Sequence, residues 1–483
     1  MSTAAPVPGC PGCEALQTRV QEQDARIAAL EAQLAELKAR LEQDSQNSSR
    51  PPSSDPPWQS RPPRTGSGSG RKGGGQRGHP GRTRRRVAEE DLTASHDYFP
   101  LHCRGCDAAL AAGAGPKDPR PRRHQVWELP EAPPTVEEHR CHGRYCSGCG
   151  KLTWADLPAG VSPTGQGPRL EGFVALLTGG YRVSRRGAAH LVRDVWRIPL
   201  CAGTVSRIEA RLSQALEPLT ATLSRALATA TQVNVDETPW WEAGKRLWLW
   251  TASTAHVVFY RIDPERSRDA FDRLLAQARA VAGEEFAFTL GSDRLSTYGH
   301  WPASRHQHCL SHVGRDLEGA ALRGGMGGAN AAWAQEALGE VFAAWHRFRR
   351  GELDRAGLLE AAAPKQRSFR TALELGEMFG STKQRGLFRT LLKGWERLWV
   401  FLEQEGVEPT NNRAERALRG AVIWRKTSFG TQSERGRQYV ERMLTVVGTA
   451  RLHDRNVLEY LTEVVRAAHA GRPAPDLLPA SPP

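Results

Sequence analysis

From Ser45 to Arg86 the chain almost abandons apolar side chains: PPSSDPP, TGSGSG and GRKGGGQRGHPGRTRRR follow one another in a run of Ser, Pro, Gly and Arg. Such a segment cannot offset its ordering entropy by burial, so residues 45–86 are expected to form a flexible basic linker. A chain of 483 residues interrupted in this way cannot fold around one core. Between Arg50 and Arg86, ten Lys and Arg face one acid, Asp55, so this short segment supplies +9 of the formal net charge of +13. Arginines and lysines spaced by glycine track phosphates without reading bases. The cluster Arg84, Arg85 and Arg86 favours that role over a plain solubilising linker. The charge balance as a whole favours a polyanionic partner such as nucleic acid over an acidic small molecule.

Ahead of the linker, Cys13, Val20, Ile27, Leu34 and Leu41 fall seven apart, and Leu16, Gln23, Leu30 and Leu37 form a second seven-residue series. Two such series offset by three are the seam of a coiled coil. Residues 14–44 are therefore expected to be a coiled coil of the leucine-zipper type joining copies of the chain into a homo-oligomer; the alternative is a helix packed against its own chain. No apolar run approaches the roughly 18 residues of a membrane span, and no secretory signal pattern opens the sequence. A cytoplasmic protein without a membrane partner is expected. In a reducing compartment the nine cysteines point to metal more than to disulfides. Cys103-x-x-Cys106 and Cys146-x-x-Cys149, with 39 residues between them, have the pattern of two knuckles giving four thiolates to one structural zinc. That zinc-binding domain is assigned to residues 87–160, with Cys141 or His142 as a substitute ligand. Cys10 and Cys13 form a third pair, either sharing a metal across a dimer or remaining unligated.

From Pro168 the period becomes helical. GPRLEGFVALLTGG, SRRGAAHLVRDVW and TVSRIEARLSQAL suggest a helix-turn-helix region over 168–228, whose recognition helix would read DNA through Thr204, Ser206, Arg207 and Arg211. After Thr231, TQVNVDETPW, RLWLWTAST and HVVFYRID are short β-rich stretches, SRDAFDRLLAQARA is an amphipathic helix and FAFTLGSD is a further strand. Asp236 lies within the first strand and Asp293 ends the last. If those two strands are parallel neighbours, both carboxylates emerge at one edge. Close carboxylates repel unless a cation bridges them, and hard oxygen ligands suit Mg²⁺ or Mn²⁺. Glu415, in TNNRAERALRG, is the candidate third acid of a site for two such ions, amid Arg413, Arg416 and Arg419 that would serve a phosphate backbone. Glu237, on the opposite strand face, is the weaker ligand choice, and Glu434 or Glu441 is the fallback for Glu415.

VDETP, SDRLSTYG, CLSHVGRDLE and NNRAERALR resemble the signature blocks of the IS sixty-six family of bacterial insertion-sequence transposases. The resemblance extends over nearly the whole chain, because that family also carries a coiled coil, a glycine-rich basic segment, a zinc-binding domain and a helix-turn-helix in this order. It implies a multidomain protein with an α/β ribonuclease-H-like core over 229–430, interrupted by an all-helical insertion at about 325–402, and a C-terminal helical region over 431–470. It also implies a catalytic DDE triad of Asp236, Asp293 and Glu415 with two Mg²⁺ or Mn²⁺ ions. The implied activity is cleavage and strand transfer of DNA at terminal inverted repeats, in a bacterial, nucleoid-associated protein that works with or without accessory proteins encoded beside it. A DNA-binding regulator, or a hydrolytic nuclease on the same scaffold, is the rival. Arg425 and Lys426 are expected contacts to DNA ends, and Cys309 and His312 match a C-x-x-H block expected either to be structural or to support the metal ligands from behind. Trp333, Trp345, Trp395 and Trp399, like Tyr439, Met443 and Val447, are expected in the core.

Overall fold

The computed structural model describes residues 11–41, 86–116, 118–130, 133–283 and 286–478. Arg84, Arg85, Cys10, the side chain of Cys13 and all of the linker except Arg86 lie outside the described residues. The chain divides into two compact units, Trp58–Pro134 and a larger one made of Met1–Pro57 with Thr135–Pro483.

In the smaller unit Val87 and Gln125 bond reciprocally, Val87 N–H to Oε1 and Nε2 to the Val87 carbonyl, both at 2.9 Å. A tight knuckle is built on Cys103: its N–H donates to the Ala108 carbonyl, its carbonyl accepts from Asp107, and Asp107 takes the left-handed conformation.

The larger unit contains α1 (Pro11–Leu41), along which Leu16, Val20, Ile27, Leu30, Leu34 and Leu37 are each at least half exposed. It also contains the hairpin β1 (Gly143–Tyr145) and β2 (Leu152–Trp154) around the second knuckle. Next come α2 (Pro168–Ala175), which continues as a π-helical turn over Leu176–Gly180, then α3 (Arg185–Trp196) and α4 (Ala202–Arg225). Val205 and Ile208 of α4 pack with Val174, Leu177, Ala188, Ala189 and Val192. Its second half, through Leu212, Leu216 and Leu223, enters the main core instead.

That core surrounds one mixed sheet of β3 (Gln232–Glu242), β4 (Lys245–Ser253), β5 (Val258–Asp263), β6 (Thr289–Ser292) and β7 (His306–His308), in the order β5-β4-β3-β6-β7. The meander β3–β4–β5 is antiparallel, turned first at Ala243-Gly244, where both residues take positive φ as a two-residue hairpin requires. Helix α5 (Arg268–Ala282) then returns the chain, so β6 lies parallel to β3, and β7 parallel to β6. The sequence shows no strand at β7, which has only three residues, two of them histidine.

Helix α6 (Leu310–Ala321) leads into α7 (Gly325–Arg349), α8 (Arg355–Phe379), α9 (Thr382–Lys393) and α10 (Trp395–Glu403), which share a second core with α6. Trp345 and Trp399 are buried there, whereas Trp333 lies at the surface and donates to Ser368 Oγ. The chain rejoins the sheet through α11 (Asn412–Ser428), followed by α12 (Glu434–Leu452) and α13 (Val457–His469). Residues of α12 and α13 share the main core with α4, and Tyr439 donates to the Ala175 carbonyl at 3.1 Å.

β5 is an edge strand whose outward N–H groups would be unpaired. Helix α12 closes that edge with side chains one turn apart: Thr449 Oγ1 accepts from Val258 N–H, Thr445 Oγ1 from Tyr260 and Glu441 Oε1 from Ile262. Glu441 is therefore a partner of the sheet edge farthest from β6. Burial pushes its carboxyl from 4.5 up to about 7. Between those values the unfolded chain has lost the proton that the folded chain retains, so this group's contribution to stability falls as pH rises through the window. Glu441→Gln, which keeps an acceptor, is expected to flatten that slope: from pH 4.5 to 7 the wild type should lose up to about 3 kcal/mol relative to the variant in urea unfolding.

Candidate active site

The register of the two parallel strands sets the site. Val233 and Asn234 of β3 pair with Leu290 and Gly291 of β6, so Asp236, two residues on, and Asp293, one residue beyond β6, leave neighbouring strands in the same direction. Asn234 is fully buried on the same strand face as Asp236. A side chain on Gly291 would collide with it, since a Cβ there would come within 2.3 Å of Asn234 Oδ1.

Glu415 reaches this edge because several polar contacts tie the return segment to the sheet. Gln232 exchanges hydrogen bonds with the backbone of Glu408 at 3.0 and 3.1 Å. Leu310 N–H donates to the Pro409 carbonyl, Cys309 N–H to the Ser292 carbonyl, and Asn411 Nδ2 to the Val235 carbonyl. Glu415 then lies in the first turn of α11, where the helix dipole favours an acid.

The electrostatics join the three acids. Burial, then the negative charges of Glu237, Asp293 and Glu415, push the Asp236 carboxyl well above its usual range. Asp293 is raised by burial, against the Leu295 N–H, Arg266 and Arg294. Glu237 joins this cluster although it alternates with Asp236 along the strand. Its buried carboxylate is raised by burial and by Asp293, and it receives Arg266 through Nε and Nη2 at 2.8 and 2.6 Å and the Tyr298 hydroxyl at 2.5 Å. Strand alternation alone pointed away from Glu237. Its position inside an apolar strand, beside an acid, was the available signal.

The arginines around Glu415 divide into two kinds. Arg413 pairs with Glu408 at 3.0 Å, and Arg425 is half-buried, donating to Thr238 Oγ1 and the Pro239 carbonyl, so it fastens α11 to β3. Arg416 and Arg419 are exposed, as is Lys426. Arg315 of α6 donates to Glu415 Oε1 at 3.1 Å, and His312 Nδ1 lies 3.5 Å from the same oxygen. Arg294 is bound to Asp316. Among the described residues one group of three could hold a metal ion by proximity, Cys309, His312 and Glu415.

The other singled-out residues lie elsewhere, some of them in the smaller unit. Arg211 is held at 2.6 Å by the buried Glu171, and Ser206 Oγ accepts from Arg435. Arg207 is exposed beside Thr204, to which it donates. Arg86 donates to the Arg123 carbonyl in the smaller unit. The two cysteine knuckles share one local design. Cys103 and Cys146 are held below the usual thiol range by backbone N–H bonds, from Gly105 and Cys106 in one and from Gly148 and Cys149 in the other. Each second cysteine is followed by a left-handed residue, Asp107 or Gly150.

A family model described as "Transposase IS66 family" matches residues 183–439, which include all three acids and the sheet that carries them. The chain belongs to the IS66 family of transposases. A second model, a family of unknown function (DUF6444), matches residues 8–85. An uncharacterized protein, y4hP, of Sinorhizobium fredii (strain NBRC 101917 / NGR234) is 40% identical over 75 residues, which are 16% of this chain and 14% of that relative. The chain thus matches only a small part of that relative. No helix among the described residues is long and apolar enough to cross a membrane.

Because Asp236 is half-buried against like charges, its ionised form destabilises the fold, and more so as pH rises above the ordinary carboxylate range. Asp236→Asn should raise the melting temperature in chelator at pH 8 by a few °C. Mg²⁺ should raise that of the wild type and leave the variant nearly unchanged, as differential scanning fluorimetry can read.

Proposed function

We propose that the protein is a DDE transposase that binds the terminal inverted repeats of its element and carries out metal-dependent strand cleavage and strand transfer. The observation that carries this reading is the half-buried carboxylate cluster, in which Asp236 and Asp293 leave parallel neighbouring strands and Glu415, from the first turn of α11, adds its charge to that felt by Asp236. A scaffold without chemistry gains nothing from such repulsion.

The donor set is oxygen alone, which fits Mg²⁺ or Mn²⁺, and Asp236, Asp293 and Glu415 are the residues that would hold two such ions. Bound there, the ions would lower the pKa of the attacking hydroxyl and neutralise charge on the leaving oxygen. The remaining work falls to the chain. Arg315 orients Glu415 through its hydrogen bond, and Arg266 with Tyr298 fixes Glu237 so that its carboxylate stays behind Asp236. The exposed Arg416, Arg419 and Lys426 supply phosphate contacts along α11, with Arg207 and Thr204 at the start of α4. Arg211 and Arg425 support these surfaces from inside through Glu171 and Thr238.

In cleavage, water attacks the phosphodiester, the P–O3′ bond breaks, and a 3′-hydroxyl and a 5′-phosphate result; in transfer, that 3′-hydroxyl attacks a target phosphodiester, whose own P–O3′ bond breaks and releases a target 3′-hydroxyl. A hydrolytic nuclease would stop after the first step. Self-association through the exposed stripe of α1 would bring two ends together, and zinc on the knuckle thiolates would order the segments ahead of the core.

Asp236→Asn, Asp293→Asn and Glu415→Gln should each lower Mg²⁺-dependent cleavage of an end-bearing duplex by orders of magnitude. Gel-shift binding to the same duplex should remain within a few-fold, because phosphate neutralisation rests on other residues. Near-normal cleavage by all three variants would remove these acids from the active site, and absence of Mg²⁺-dependent cleavage by the wild type would overturn the enzymatic reading in favour of a DNA-binding regulator. Cleavage without any joined product would favour the nuclease.

A further inference from the structure

Beside the candidate catalytic acids lies a group of different chemistry. Cys309 caps the N-terminus of α6 and is 1% exposed, with its N–H tied to the end of β6. His312 lies in the first turn of the same helix. Its Nδ1 is sealed from solvent and has no hydrogen-bond partner, although Glu415 Oε1 is 3.5 Å away. One ligand atom from each of Cys309, His312 and Glu415 lies within 4.8 Å of the others. In a tetrahedral zinc site the ligand–ligand edges are about 3.3–3.8 Å, so small side-chain rotations bring the three into range. A buried imidazole nitrogen without a partner normally has a role, because leaving one unsatisfied costs about 1–3 kcal/mol.

We propose that Cys309 Sγ, His312 Nδ1 and a Glu415 carboxylate oxygen form a site for one zinc-class transition metal ion, and that its occupation draws Glu415 away from the candidate catalytic acids and inhibits strand cleavage. Thiolate and imidazole select zinc or cobalt over magnesium, whereas Asp236 and Asp293 offer oxygen donors alone, which suit magnesium. Glu415 is common to both sets. On binding, Cys309 releases its proton to solvent and the ion takes the place of Arg315 at Oε1. A dication there cancels the charge with which Glu415 would hold magnesium. The metal site stands on its own geometry; only its inhibitory effect rests on the proposed function.

The test uses the full-length chain, stripped of metal and titrated with Co²⁺ or Zn²⁺, with bound metal counted by mass spectrometry and cobalt–thiolate absorption recorded. Wild type should bind one more ion per chain than Cys309→Ser, His312→Gln or Glu415→Gln, each with unchanged far-UV circular dichroism. Should the buried Cys309 variant fail to fold, the two less buried ligands decide through His312→Gln and Glu415→Gln. Equal metal content in wild type and every folded variant would overturn the site. Asp236→Asn should retain the additional ion. Zinc should lower wild-type Mg²⁺ cleavage by about 10–100-fold, and the ratio of rates with and without zinc should return towards one in His312→Gln. Zinc inhibition that is equal in the two proteins would overturn the inhibitory role. An Asp236→Asn variant that cleaves normally would instead overturn the proposed function, leaving the metal count to decide the site.

Discussion

The arrangement of the sheet half of this protein follows from one unfavourable interaction, the crowding of the half-buried Asp236 carboxylate against Asp293, Glu415 and Glu237. Like charges in a desolvated place must be offset by cations, held apart by rigid elements, or protonated. The surroundings use all three, since the Asp236 and Asp293 carboxyls are also raised and so hold their protons more readily. Arg266 and Tyr298 bind Glu237, Arg315 binds Glu415, and Arg294 adds positive charge near Asp293 while bonded to Asp316. Parallel β3 and β6 fix the two aspartates on the backbone, and the bonds of Gln232 and Asn411 fix the start of α11.

The long excursion before Glu415 is compatible with that precision because it has its own core. Leu317, Leu338, Leu358, Phe369, Phe388 and Phe401 bury one another across α6 to α10. The insertion therefore does not need to borrow stability from the sheet. It leaves from Cys309 and returns at Glu408 to Asn411, and both ends are hydrogen-bonded to the strands that carry the acids. Insertion and site are thus connected at two points of backbone contact, which is how a helical domain can be large without displacing the acid that follows it.

Much of this was legible in the residues. The change from helical to alternating period after Thr231 announced a mixed α/β region, and a central sheet with helical regions is what the structure contains. Asp236 and Asp293 could be paired from sequence because both stand at strand positions, and a parallel sheet needs only a crossover helix such as α5 between them. What sequence did not supply was contact at long range. Nothing local in Arg211 or Arg425 separates a DNA-facing arginine from one held by Glu171 or by Thr238, because the distinction lies in partners 40 and 187 residues away. The packing of α4 against α12 likewise depends on residues more than 200 positions apart. β7 escaped because three residues are too few for periodicity, and Glu237 because its neighbours, not its strand face, decide its surroundings.

The bonds from α12 to β5 have a further consequence for how this chain can vary. Three acceptors at positions 441, 445 and 449 meet three alternate backbone donors at 262, 260 and 258, so a helix pitch is matched to a strand pitch along about two turns. A helix has only one rotational phase in which this works. Removing or adding a single residue in α12 ahead of Glu441 leaves the match intact, whereas the same change between Glu441 and Thr449 turns part of the helix by about 100°. That would uncover donors able to recruit a strand from another molecule. Length in this stretch is consequently as tightly specified as composition, and the sheet ends in a row of side chains that serves as its sixth strand.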